Sequence, residues 1–199
     1  MSAKKFLKET EPAVKHMFAA LEHYNDLNPP RKEYFKKNGC AQARKEVIKF
    51  MGRNITAMGL DMAKATLCGA IVQVAYSAIN QFSKNGKIPD SFDRFEFPKD
   101  NEKAKFYIGR EVHGLPLGLL IFAAREQYSN WEQGSPSNPT AKGVFEHLRS
   151  ARKRDIWQDL LYELDWPVKR PAAHYIIQKE LKWLSYDDYI SDMSQALSM

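Results

Sequence analysis

Arg125 and the polar residues after it are the best candidates in this sequence for chemistry on an anion. The segment Arg125-Glu126-Gln-Tyr-Ser-Asn130 follows the apolar run 115–124 and precedes the breaker-rich stretch 133–139. A guanidinium binds phosphate through several donors and keeps its charge across the physiological pH range. The same position also fits an ordinary helix end, because the helix dipole favours a cation in the last turns. The sequence leaves both interpretations open.

A second polar group lies just before that apolar run. Arg110, Glu111 and His113 are close together in the chain, and carboxylate and imidazole are the usual groups of general acid–base catalysis. One hypothesis is therefore an enzyme on an unfamiliar helical scaffold that uses these three residues. The structural alternative is that His113 is a hydrogen-bonding group of the fold, which is the commoner role of a lone histidine.

Several established classes of site have no motif in this sequence. We find no Gly-rich phosphate loop, no His-x-x-x-His or Cys-x-x-Cys pair, and no Gly-x-Ser-x-Gly elbow. The carboxylate pair Asp187-Asp188 is explained by the first turn of a helix. Cys40 and Cys68 are too few for a disulfide framework or a zinc site, and such usage suits a reducing compartment. We therefore expect no metal and no cofactor.

The net charge of +6 and the pI near 9.2 are compatible with an anionic partner such as RNA, without requiring one. Charge runs are more often solvated faces than binding sites. One basic cluster near the last third of the chain is a candidate patch; it comprises Arg149, Arg152, Lys153 and Arg154.

The apolar periodicity predicts an all-α fold, a single helical-bundle domain over residues 1–199 built on long central helices. We expect helices at about 12–25, after a lead-in divided off by Pro12, and over 41–83, with a kink or break at Gly52 or Gly59. The part 62–82 should be the central buried helix.

The second half of the chain is predicted to contain shorter helices. These are 116–131, 140–153 with Thr140 as a first-turn cap, 172–183, and 186–197 opened by a capping box at Ser185-Tyr-Asp-Asp188. A further helix could lie in 101–113, and 154–171 should be irregular. The alternation in 91–97 leaves room for a short strand or extended segment.

The apolar runs 65–79 and 115–124 are shorter than the roughly 20 residues that span a bilayer. The N-terminus is basic but has no apolar stretch typical of a secretory signal. We therefore predict a soluble cytoplasmic protein without membrane contact, in which Cys68 behaves as a small buried hydrophobe.

Residues 106–131, with a wholly apolar helix ending at Arg125, resemble the motif region of the HEPN superfamily of helical bundles. That motif has an arginine, a polar residue, a short spacer and a histidine. Here Arg125-Glu126 is followed by Asn130. The resemblance covers about 41–150. It implies a dimer that cleaves RNA without metal, or a non-catalytic relative, in toxin–antitoxin or phage-defence systems. It would place Arg125 on the scissile phosphate and Asn130 at the histidine position.

The departures from that motif favour binding over cleavage. An amide at Asn130 cannot exchange a proton near neutral pH, and Glu126 adds a negative charge where a phosphate would approach. His113 is a weak candidate for the missing imidazole. The leading hypothesis is thus a HEPN-like module with a degenerate motif that binds RNA or a partner protein. The alternative is a structural or interaction homodimer with no active site.

Aromatic residues are frequent in the last third of the chain. Stacking on RNA bases, a dimer interface and packing of the C-terminal helix onto the bundle are the three interpretations, and packing is the preferred one. The residues are Trp157, Tyr162, Trp166, Tyr175, Trp183, Tyr186 and Tyr189.

Overall fold

The computed structural model describes residues 1–27, 55–94, 101–133, 138–151 and 172–198. Within these ranges the protein is an all-α bundle with one small two-stranded hairpin, as predicted. The α-helices are α1 Ala3–Leu27, α2 Ile55–Phe82, α3 Leu117–Asn130, α4 Pro139–Ala151, α5 Ala173–Tyr175 and α6 Tyr186–Ala196. A π-helical turn, Ile176–Glu180, continues α5, and 3-10 turns lie at Asp90–Arg94, Asn101–Phe106 and Trp131–Gln133.

Helix α2 is the centre of the bundle and packs against α1, α3 and α5. Its stretch Met62–Phe82 is long and apolar enough to cross a membrane, but half of its most apolar window is buried inside the protein. That fits the core helix of a soluble protein and confirms the prediction of a central helix over 62–82. A kink or break was predicted at Gly52 or Gly59, and the helix continues through Gly59 without a break. Glycine costs a helix only about 1 kcal/mol relative to alanine, so the helix can accommodate Gly59. The other predicted position, Gly52, lies with 41–54 outside the described residues.

Helix α1 runs unbroken through Pro12, so the predicted division there is wrong. Pro12 is exposed, and the residue four positions earlier is exposed as well, so water can solvate the carbonyl that proline leaves without its helical donor. The opposite face of the helix is buried in the core through Leu7, Val14 and Phe18. Packing of that face holds the two halves in line.

Helix α3 begins directly after a tight hairpin. Strand β1, Glu111–Val112, pairs antiparallel with β2, Leu115–Pro116. The two turn residues between them, His113 and Gly114, have φ values of 53° and 79°, as a two-residue type I′ turn requires. The observed α3 agrees with the predicted helix 116–131. The helix expected within 101–113 is instead a 3-10 turn followed by this hairpin.

The predicted extended segment is also a 3-10 turn as far as Arg94, while 95–97 lie outside the described residues. The Phe92 N–H donates to the Pro89 carbonyl at 3.0 Å and closes the turn. The Phe92 ring is buried edge-on against Tyr107, with centroids 5.4 Å apart. In the described part of this segment, the buried Phe92 ring anchors the turn to the core.

Helix α4 is capped by Asn138 and not by Thr140 as predicted. Asn138 Oδ1 accepts from the backbone N–H groups of Thr140 and Ala141 at 2.9 and 3.3 Å. Pro139 occupies the first helical position, where its missing N–H has no helical partner to lose. The segment predicted as a helix over 172–183 is helical only to Glu180, and 154–171 lie outside the described residues.

Helix α6 opens with the predicted capping box. The Ser185 hydroxyl accepts from the Asp188 N–H, and the Asp188 carboxylate accepts from the Ser185 N–H at 2.9 Å. Desolvation raises the pKa of Asp188. Hydrogen bonds from the Ser185 hydroxyl and from the N–H groups of Leu184 and Ser185 outweigh that effect, so the pKa is lowered.

One hydrophobic cluster joins α1 to α6 across the bundle.

Replacing Ser185 with alanine should reduce the free energy of unfolding by about 1 kcal/mol, the usual effect of losing a helix cap. Urea unfolding of wild type and Ser185→Ala measures this. Because the pKa of Asp188 is depressed in the fold, its contribution is present above the ordinary value of 3.8 and is lost as the pH falls below it. An unchanged stability near neutral pH would contradict the cap.

Gly69 is where α2 and α3 approach most closely in this region, since a Cβ there would overlap the Tyr128 ring. Gly69→Ala should therefore destabilise the protein by about 1–3 kcal/mol through overpacking. Gly59 in the same helix is exposed, and a Cβ at that position would have no atom of the described residues within 4 Å. Gly59→Ala should be neutral or stabilising by up to about 1 kcal/mol. Thermal unfolding of both variants checks the contrast, and equal effects would contradict it.

Candidate functional site

Arg125 is the first residue of α3 whose side chain reaches solvent. Every residue from Leu117 to Ala124 is buried, and Arg125 has a side chain that is 32% exposed. Its guanidinium carbon lies 5.0 Å from the centroid of the Tyr76 ring on α2, within cation–π range. The guanidinium is therefore held against the bundle at its surface.

Glu126 is the direct partner of that guanidinium. Arg125 Nη1 donates to Glu126 Oε1, and the Glu126 side chain is 15% exposed. Arg125 Nε is buried without a hydrogen-bond partner among the residues that the structure describes. The cation is thus largely neutralised from one side, by the residue next to it in sequence.

Asn130 closes the last turn of α3. Its Nδ2 donates to the Glu126 carbonyl oxygen at 2.9 Å, which is the (i, i+4) relation expected of these two residues. The amide supports the backbone below Arg125. Within the described part of the chain, the Asn130 side chain makes this bond rather than one to the Arg125 guanidinium.

The ring beneath Arg125 belongs to an aromatic cluster formed by Tyr76, Phe106 and Phe122. Tyr76 stacks on Phe106 at 5.0 Å and on Phe122 at 6.5 Å between centroids. Lys103 Nζ lies 5.7 Å from the Phe122 centroid. Two cations, Arg125 and Lys103, therefore rest on one connected set of rings.

Lys105 is a third cation close in sequence to Phe106 of this cluster. Its Nζ donates to the side-chain and backbone oxygens of Asn80 at 3.1 and 3.2 Å, and Asn80 is one helical turn beyond Tyr76 on α2. We call Arg125, Lys103 and Lys105, with the aromatic cluster below them, the cationic face. Its members come from α2, α3 and the 3-10 turn before the hairpin.

An open cleft of about 530 Å³ adjoins the cationic face. Asn85 builds one wall, because its Nδ2 donates to the carbonyls of Ala104 at 2.7 Å and Lys87 at 3.0 Å. The cleft has a mixed charge, since Glu102 lines it together with the two lysines. Sequence reasoning missed these residues.

Arg110 has a structural role in the described fold. Its Nε and Nη2 donate to the two carboxylate oxygens of Asp192 at 2.8 and 2.9 Å, and Nη2 also donates to the Leu181 carbonyl. The Trp183 indole N–H donates to the same carboxylate at 2.7 Å. Arg110 thereby joins the hairpin to α6, while Glu111 is exposed at the start of β1.

His113 lies in the hairpin turn with a different partner. Its Nε2 is 3.0 Å from Glu180 Oε2, on a carboxylate side chain with no solvent exposure. His147 Nε2 contacts the His113 carbonyl at 2.8 Å. Arg125 is eight residues along α3, about 12 Å of helix rise from its first residue. The imidazole therefore lies before the start of α3, while the guanidinium is carried by its third turn.

Of the C-terminal aromatic residues, Trp183 and Tyr189 pack into the core as preferred, Tyr186 packs against it, and Tyr175 is half-buried. Trp183 and Tyr189 are each 1% exposed and meet edge to face at 5.1 Å. Arg149 is exposed in the last turn of α4. The other members of the basic patch, Arg152, Lys153 and Arg154, lie outside the described residues, as do Trp157, Tyr162 and Trp166.

Two further sequence expectations concern metal and thiol chemistry. Among the described residues, no group of three histidine, cysteine, aspartate or glutamate side chains could hold a metal ion. Cys68 is fully buried in α2, and burial raises the pKa of its thiol to about 12. The thiol is therefore protonated near neutral pH and behaves as a small hydrophobe, as predicted.

Comparison of this chain with protein-family models, with curated proteins and with solved structures finds no match.

Removing the Asp192 carboxylate should leave Arg110 and the Trp183 N–H without their acceptor. Asp192→Ala should lower the free energy of unfolding by about 2–3 kcal/mol, as expected when charge-assisted hydrogen bonds are lost from partly buried donors. Asp187→Ala, an exposed position on the same helix, is the control and should cost less than about 1 kcal/mol. Equal losses in urea unfolding would contradict the role given to Asp192.

Proposed function

We propose that this protein is a non-catalytic RNA-binding module, HEPN-like in its helical bundle and in the placement of Arg125. The observation that carries the proposal is the cationic face. Arg125 and Lys103 rest on one aromatic cluster, and Lys105 is bonded to Asn80, one helical turn from the Tyr76 ring of that cluster. Cations held by rings and by Asn80 lose little side-chain entropy on binding phosphate.

The chemistry of the three side chains supports a phosphate backbone as the ligand. Guanidinium and ammonium groups supply N–H donors only, and the oxygens of a phosphate are matching acceptors. Phosphate contacts of this kind provide most of the sequence-independent affinity for nucleic acids. A chain of phosphodiesters can meet several fixed cations at once, which a single small anion cannot.

Binding without cleavage follows from the groups around Arg125. Its direct polar partner is the Glu126 carboxylate, and the other polar group of the motif, the Asn130 amide, is bonded to the backbone. His113 is bonded to Glu180 and lies before the start of α3. General acid–base cleavage of RNA needs a proton-transferring group within reach of the ribose hydroxyl or the leaving oxygen. We therefore expect no ribonuclease activity.

A second candidate function is a homodimer without an active site, and the surface of α2 favours it. No charged residue occurs from Ala65 to Ser83. Along this stretch Thr66 and Gln73 are exposed, and Leu67 and Val74 are half-buried beside them. An uncharged helix face of this length can pack against a second copy. Light scattering that gives a monomer over a wide concentration range would count against this function.

The RNA-binding proposal is tested with Arg125→Gln, which removes the charge and the planar donor group. Fluorescence anisotropy with a short labelled single-stranded RNA should show affinity reduced by about tenfold, the effect of losing one charge-assisted contact. The slope of log affinity against log salt should become shallower by about one. Neither protein should cleave the RNA.

Lys142→Gln, an exposed lysine on α4, is the matched control for net charge and should bind almost as tightly as wild type. Thermal unfolding of both variants shows whether they are folded. If Arg125→Gln binds RNA with the affinity of the wild-type protein, the RNA-binding proposal is wrong.

A further inference from the structure

The pairing of Arg125 with Glu126 has a consequence for which anions can bind. Arg125 Nη1 donates to Glu126 Oε1, and the two side chains are 32% and 15% exposed. The Asn130 amide bonds to the Glu126 carbonyl and supports the turn that carries this carboxylate. One donor of the guanidinium is thus already occupied by an anion of the protein itself.

We infer that Glu126 is an internal competitor for Arg125 and that it sets the minimum ligand of the cationic face: a phosphodiester chain rather than a single phosphate. This inference rests on the proposed function. A ligand phosphate must displace the Glu126 carboxylate or bind beside it. In both cases the negative charge of Glu126 weakens the binding of the phosphate to Arg125.

The exchange of one anion for another on Arg125 explains why a phosphodiester chain binds better than a single phosphate. A single phosphate that replaces Glu126 on Arg125 exchanges one anion for another, so little free energy is gained near the protein surface. A phosphodiester chain that also contacts Lys103 gains a second interaction for the same displacement. Only the longer ligand then binds at ordinary concentrations.

Other anionic groups on this side do not replace Glu126 in that role. Glu102 is exposed and lines the cleft beside Lys103 and Lys105, whereas Glu126 is bonded to the guanidinium itself. Neutralising Glu126 should therefore act on Arg125 alone. Glu126→Gln keeps the size of the side chain and removes its charge.

The experiment compares wild type with Glu126→Gln in two titrations at constant ionic strength. In the first, RNA binding to Glu126→Gln should be about fivefold tighter, as expected when one opposing charge is removed at the surface. In the second, inorganic phosphate at millimolar concentration is added to the free protein; it should shift the Arg125 Nε–H resonance of Glu126→Gln and leave that of the wild type in place. Glu146→Gln, exposed on α4, makes the same charge change elsewhere and should behave as wild type.

The outcomes separate this inference from the proposed function. If Arg125→Gln weakens RNA binding while Glu126→Gln leaves both titrations unchanged, the competitor role is wrong and the proposed function stands. If Glu146→Gln tightens RNA binding as much as Glu126→Gln, the effect is one of net charge and the inference is again overturned. If Arg125→Gln binds RNA as wild type does, the proposed function fails and the inference fails with it.

Discussion

The complete burial of the first two turns of α3 is the constraint on which the rest of the site depends. Residues 117–124 have no polar side chain and face α2, the hairpin and α4 from inside the bundle. Burial of that length fixes both the rotation and the depth of the helix. The first side chain that can leave the core is then Arg125, and it leaves beside Tyr76. Hydrophobic packing of α3 thus sets the position of the guanidinium. Its charge reaches solvent as part of the cationic face.

The polar contacts of the hairpin stabilise the fold, whereas those of the cationic face lie at the proposed binding surface. Arg110 and His113 each hold an acidic residue of the C-terminal segment, Asp192 and Glu180. Both acids are more buried than their basic partners. Removing either partner would leave charge in a poorly solvated place, so these pairs fix the C-terminal segment on the bundle. Basic residues at one end of α3 are therefore used internally, and those near the other end remain partly available to a ligand.

Features with a local cause were predictable from the sequence. The capping box of α6 and the apolar run of α3 appear as short patterns, and both are present in the structure. The division expected at Pro12 is absent and α2 continues through Gly59, because tertiary packing of long apolar faces outweighs a local breaker. The contacts that define the site could not be predicted from the sequence, because they join residues that are far apart in the chain. Arg110 and Asp192 are 82 positions apart, and Tyr76 meets Arg125 only after two helices pack. No spacing rule connects such residues.

If the cationic face is the binding surface, RNA contacts Arg125 and leaves the hairpin pairs undisturbed. Nuclear magnetic resonance of the arginine side-chain Nε–H groups measures this directly during an RNA titration. We predict that the Arg125 signal moves with increasing RNA while the Arg110 signal, held by Asp192, stays in place. Movement of Arg110 with a stationary Arg125 would contradict RNA binding at the cationic face.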